Sequence, residues 1–146
     1  MSNQVEVTIE IILHATEDSK KITEPLMEMF HLGEGEFSTE KTLGHYGNPI
    51  LLVKAKLVKK RATQFISELV SLISKVQLND LIDNIEMYFE DSVLFLRIGK
   101  NELARKTINL QQNNAVKIKI KIPIYKKDEI AKTYTNLLKS SAEQTA

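Results

Sequence analysis

Lysine recurs on alternate residues at Lys117, Lys119 and Lys121, interleaved with Val116, Ile118, Ile120 and Ile122, and Lys54 and Lys56 repeat the pattern between Val53, Ala55 and Leu57. Alternate side chains of an extended segment share a face. Each stretch would therefore hold a row of ammonium groups to solvent, and together with Arg97 the rows have the spacing of a surface along which a phosphate backbone can lie. Neutralising each phosphate releases counterions, so a few such contacts would give salt-sensitive affinity. The plainer reading is a solvated sheet face, its lysines paired across strands with Glu6 and Glu10 and guarding against edge aggregation. No Phe or Tyr alternates with these lysines, so an aromatic stacking platform is not expected.

A second concentration of chemistry is the stretch Gly44-His45-Tyr46-Gly47-Asn48-Pro49. Glycine allows close approach of backbone N–H groups to a ligand, the rings of His45 and Tyr46 can stack or hydrogen-bond, and Asn48 can read an amide-like edge. Equally, the stretch reads as a tight hairpin in which Gly44 and Gly47 take positive φ and Asn48-Pro49 starts the next strand. It is not a phosphate-cradling loop of the GK[ST] kind, because a strand-like run, Ile50 to Val53, follows it.

The third is His14 with Glu17 and Asp18, where an imidazole and two carboxylates meet at a strand end, with His45 as a further candidate. That set could ligate a metal or move a proton. No second spaced pair completes a ligand set, so helix capping and a hydrogen-bonded histidine account for it more simply. His31, near a helix end, suits the C-terminal dipole.

The elements that must hold these groups follow from periodicity. Val5 to Leu13 alternates with period two and predicts a half-buried strand, with Asp18 or Ser19 capping the helix after it. Ile22, Leu26, Met29 and Phe30 have helical spacing, although Pro25 predicts a short, broken or late-starting helix. Strands are expected over 36–43 and 50–57, joined through the glycine loop as a hairpin, and then a helix opened by Lys59-Lys60-Arg61 along Ala62, Phe65, Ile66, Leu69, Ile73 and Val76. A helix over 79–89, a strand over 92–99 with Arg97 opposite Leu94, Leu96 and Ile98, a polar connection 100–106, a short strand 107–110, the lysine strand to Pro123 and a helix 128–139 complete the pattern. Residues 140–146 are expected to fray.

With 146 residues and 16.6 kDa, the chain predicts one domain, 1–146, with enough length for its own core. It has no cysteine, which excludes disulfides, thiolate metal sites and cysteine nucleophiles. No apolar run approaches a membrane span and no signal-peptide core precedes the first strand, which predicts a cytoplasmic protein without membrane contact. The net charge of +1 conceals segregation: residues 1–40 carry nine acidic and two basic groups, 41–75 one and seven, 76–92 five and none, and 93–146 four and eleven. Folding could gather these into one positive and one negative side. Hairpin-length connections predict an α+β fold, a mainly antiparallel sheet with helices packed on one face.

Taken in order, the strand ending in His14-Ala15-Thr16-Glu17-Asp18, the Gly44-His45-Tyr46-Gly47-Asn48-Pro49-Ile50 loop, the Leu96-Arg97-Ile98-Gly99-Lys100 segment and the strand from Val116 to Tyr125 resemble an archaeal family of small proteins described as RNA-binding or exosome-associated. The resemblance spans nearly the whole chain, and the first two motifs are its most specific parts. Members are similar in fold to the large-subunit ribosomal protein that binds 5S rRNA. The resemblance thus implies an RNA role, in processing or ribosome-related assembly, with exosome or other RNA-processing proteins as partners. Its members carry Lys and Gln after the Leu-Arg strand, whereas here Lys100 is followed by Asn101 and Glu102.

The expected function is non-catalytic binding of structured RNA, without cofactor or metal, through Lys54, Lys56, Arg97, Lys100, Lys117, Lys119, Lys121, His45, Tyr46, Asn48 and His14. Two alternatives stay open: a protein-interaction or assembly module, including a homodimer, and a metal-assisted nuclease around His14, Glu17 and His45.

Overall fold

A computed structural model describes residues 4–14 and 17–144. Its strands are β1 (Glu6–His14), β2 (Phe37–Leu43), β3 (Pro49–Val58), β4 (Phe89–Glu90), β5 (Val93–Gly99) and β6 (Ala115–Lys121). They form one six-stranded sheet in the order β2-β3-β1-β6-β5-β4, with every neighbouring pair antiparallel. The helices are α1 (Lys20–Phe30), α2 (Lys59–Leu72), α3 (Lys75–Asp83), α4 (Lys100–Ala104) and α5 (Ile130–Gln144). The α+β class expected from the sequence is the one observed.

Period two in β1 sends Val7, Ile9, Ile11 and Leu13 to one face, where they are buried with Leu96, Ile98, Ile118 and Ile120 from its neighbours. Leu26, Phe30, Phe65, Ile66, Leu69, Tyr134 and Leu138 from the helices join the same cluster, and the rings of Phe30 and Phe65 lie 4.6 Å apart. Burying a large side chain of this kind contributes roughly 1.5–3 kcal/mol before entropy is counted. The buried Tyr134 hydroxyl accepts the Ile122 N–H and lies 3.0 Å from the Ile120 carbonyl oxygen, so α5 is fastened to the end of β6.

Several elements differ from the sequence expectation for local reasons. Pro25 sits buried inside α1, which neither starts late nor breaks, because the bond it forfeits falls at the exposed Lys21. The first turn is tied by Asp18, whose Oδ1 accepts the Lys20 N–H at 3.1 Å, and His31 ends the helix in the left-handed region at φ 55°. Helix α3 begins at Lys75 because the Ser74 hydroxyl accepts the Gln77 N–H, and it stops at Asp83. The aromatic end then turns through residues 85–87 into β4, and Asp91, at φ 56°, reverses the chain into β5.

Residues 100–104 are helical where a polar connection was expected, and the expected strand 107–110 reduces to one bridge between Ile98 and Leu110. Helix α5 continues through residues expected to fray, with Ser141 buried and bonded to the Leu137 carbonyl at 2.8 Å. Among the described residues, no helix is long and apolar enough to cross a membrane.

Candidate nucleic-acid interface

Among the described residues no helix lies on the second face of the sheet, and its register sorts the charged residues into cross-strand rows. Lys54, Glu10, Lys117 and Arg97 form one row, Lys56, Thr8, Lys119 and Phe95 the next, and Val58, Glu6, Lys121 and Val93 the third. Rows two residues apart are about 7 Å apart and strands about 4.8 Å, so the field measures about 14 Å by 14 Å. The six cations dispersed in sequence therefore converge.

Neutralisation is partial. Lys119 Nζ lies 2.7 Å from Glu10 Oε1 and Lys56 Nζ lies 4.0 Å from Glu6 Oε2, as the plainer reading anticipated. Lys54, Lys117, Lys121 and Arg97 make no ion pair among the described residues. Burial pushes the Glu10 carboxyl up, but the hydrogen bond and charge of Lys119, with Lys117 and Lys54 behind it, outweigh that and hold it below its ordinary value. Glu40 and Glu90 stand at the two margins of the face, leaving the positive excess in the middle.

The glycine loop is a hairpin tip built as a type I turn closed by a left-handed residue. The Gly47 N–H donates to the Gly44 carbonyl at 3.0 Å, Gly47 has φ 75°, and the Gly44 N–H donates to the Asn48 carbonyl at 2.7 Å. Gly44 does not take the positive φ expected of it, and a Cβ there would press on the Asn48 side chain, 2.6 Å from its Oδ1. The rings of His45 and Tyr46 meet edge to face at 4.9 Å, and Tyr46 is 91% exposed.

This tip is not beside the lysines. Pro49 is five residues from Lys54 along β3, about 17 Å. His14 shares the lysine face opposite Ile50, but the pair Ile12 and Leu52 separates it from the row of Lys54. The structure thus brings six candidates together and leaves His14, His45, Tyr46 and Asn48 at the far end of the sheet.

Lys100 is displaced from the expected surface altogether. It is 6% exposed, its ammonium lies 3.2 Å from Glu17 Oε1, and it also donates to the Ile12 carbonyl. Glu17 in turn accepts the His14 N–H at 3.0 Å. Burial raises the Glu17 carboxyl, yet the His14 N–H and the Lys100 ammonium win and hold it low. Lys100 therefore locks the strand end in place and has no free donor aimed at solvent. Ala15 and Thr16 of the same motif lie outside the described residues. Among the described residues, no three His, Asp or Glu side chains cluster to hold a metal.

Phe95 is the residue that alternation within single strands missed. It pairs with Lys119 on the open face, and Lys117 Nζ is 5.5 Å from its ring centre. The signal lay in parity with Arg97, two residues along the same strand.

A family model described as RNA binding matches residues 6–122. The chain belongs to this RNA-binding family. It is 28% identical over 135 residues to an RNA-binding protein of Pyrococcus abyssi, covering 86% of this chain and 88% of that one. In fold it is similar to a crystal structure from Archaeoglobus fulgidus assigned to the family DUF54, with a TM-score of 0.80, 24% identity and coverage of 90% and 97%. It is also similar to a DUF54 protein from Methanothermobacter thermautotrophicus, with a TM-score of 0.69, 24% identity and coverage of 91% and 96%. None of these three names refers to an exosome or a ribosomal protein.

Proposed function

We propose that the chain is a non-catalytic RNA-binding protein that lays a phosphate backbone across the open sheet face. The observation that carries this reading is the group of four cations without ion pairs among the described residues, Lys54, Lys117 and Arg97 in one row and Lys121 two rows away, on a face that no described helix covers. Membership of the RNA-binding family supports it. Lys56 and Lys119, already near carboxylates, contribute less, and His14, His45, Tyr46 and Asn48 serve a separate contact at the hairpin tip. The resemblance favours an accessory role in RNA processing or ribosome-related assembly in the cytoplasm.

Filter binding of a structured RNA across a salt series tests the reading. Four phosphate contacts give a slope of log affinity on log salt of about −3 to −4, and changing Lys117 and Lys121 to Ala reduces it by about 2. Absence of binding at low salt, or an unchanged slope in the double variant, overturns the assignment. Capture of a protein partner that survives nuclease treatment, by a chain that binds no RNA, would replace it with an assembly role.

A further inference from the structure

Resting on the RNA-binding reading, we propose that the cleft where the Gln111–Gln112 turn meets Tyr88, Phe95 and Arg97 holds one unpaired nucleobase. The cleft has a volume of about 210 Å³ and lies on the open face at the β4–β5 side of the sheet. Pockets for drug-sized molecules begin at roughly 300 Å³, so this one suits a single planar ring system.

Its walls are set before any ligand arrives. The Tyr88 carbonyl accepts the Phe95 N–H at 2.7 Å, and the Arg97 carbonyl accepts the Gln111 N–H at 3.0 Å. Gln77 pins the outer wall from α3, donating to Asn109 Oδ1 at 2.8 Å and accepting the Leu110 N–H at 3.1 Å. Gln111 is consumed in this scaffold, because its Oε1 accepts from Asn109 at 2.8 Å and its Nε2 donates to the Asn113 carbonyl at 2.9 Å.

What remains unspent is a base-reading set. The Tyr88 hydroxyl, the Gln112 amide and the half-buried Arg97 guanidinium have no side-chain hydrogen bond or ion pair among the described residues. Rings of Phe95 and Tyr88 supply a stacking surface for any base, while the amide and guanidinium can meet its hydrogen-bonding edge. Lys117, unpaired and hanging over the Phe95 ring on a flexible stem, swings to the phosphate of the same nucleotide when the base takes its place. A duplex keeps its bases stacked inside and cannot use the cleft, so the site selects looped or single-stranded segments.

The test compares two RNAs with the full chain: a hairpin carrying 2-aminopurine in an unpaired loop, and a fully paired duplex of equal length. Phe95→Leu keeps apolar volume and removes the ring, and Gln112→Ala alters an exposed side chain that the fold does not need. Loop affinity should fall roughly 5- to 150-fold in Phe95→Leu, the range carried by stacking one base, with duplex affinity and salt slope unchanged. Gln112→Ala should lower loop affinity several-fold, and 2-aminopurine fluorescence should be quenched by the wild-type chain and not by Phe95→Leu. Unchanged loop affinity in both variants, or equal losses on loop and duplex, overturns the cleft while leaving RNA binding intact. Failure of the wild-type chain to bind either RNA at low salt overturns the RNA-binding reading itself.

Discussion

Removing either partner of the Lys100–Glu17 pair should cost very different amounts, and the asymmetry follows from their burial. The Lys100 side chain is 6% exposed and the Glu17 side chain 25%. Glu17→Ala leaves an ammonium nearly sealed from water with the Ile12 carbonyl as its remaining partner. Breaking a buried pair this way costs about 3–5 kcal/mol, and the lower end applies because Glu17 opens partly to solvent. Lys100→Met leaves a carboxylate that keeps the His14 N–H and can recruit water, which costs about 1.5–2 kcal/mol. At this chain length each kcal/mol lowers Tm by about 2–4 °C, so calorimetry and urea melts resolve the two.

The double variant, with Lys100→Met and Glu17→Ala, should cost less than the sum of its singles, as coupled neighbours do. The Glu17 carboxyl is held below its ordinary value of 4.5 in the folded chain. Its stabilisation is therefore full above the unfolded carboxylate range and lost as pH falls through the lower folded value, so the gap between wild type and Lys100→Met closes in acid. Lys100→Met should bind RNA with wild-type salt slope. Additive singles, or a slope reduced by about 1, would refute the burial argument by returning Lys100 to the phosphate surface.

Glu10→Gln should free Lys119 from its carboxylate, raise RNA affinity and steepen the salt slope by about 1; unchanged binding would show that Lys119 never contacts phosphate. Gly47→Ala should destabilise the hairpin tip by roughly 1–2 kcal/mol because Gly47 sits at φ 75°, with Gly47→Asn milder, as read by hydrogen exchange of β2 and β3. Tyr134→Phe strands the buried Ile122 N–H and should cost about 1–3 kcal/mol in urea melts, whereas a neutral outcome would mean that the backbone finds another partner.

Much of the fold was legible because its signals are local. The alternation in β1 and β6 and the helical repeat of α2 each report one buried face, and the structure uses them as read up to Leu69; α2 stops at Leu72, Ile73 is extended and Val76 is exposed in α3. The six converging cations were readable as two strand rows plus Arg97, although the register joining them is a long-range property. Lys100 was misplaced because its partner, Glu17, is 83 residues away, and nothing near position 100 signals that an ammonium will be buried. Phe95 was overlooked because stacking surfaces were sought along one strand, while here the ring and the lysines alternate across strands. The hairpin tip was recognised as a turn, but its distance from the lysines depends on β3 running ten residues beyond it.

The pairing of β1 with β6 also governs how this protein can be made. Val7 lies between Leu57 and Ile120, so the middle of the sheet waits for a strand near the end of the chain. During synthesis β1, β2 and β3 can assemble early, yet one edge of β1, along Val7 and Ile9, stays unsealed until residue 121 has cleared the ribosome. A late-closing nonlocal pairing of this kind slows folding and exposes the nascent chain to aggregation and chaperone capture. Truncations that stop before β6 should therefore yield sticky half-sheets, and α5, tied to the end of β6 through Tyr134, can dock only after that strand is in place.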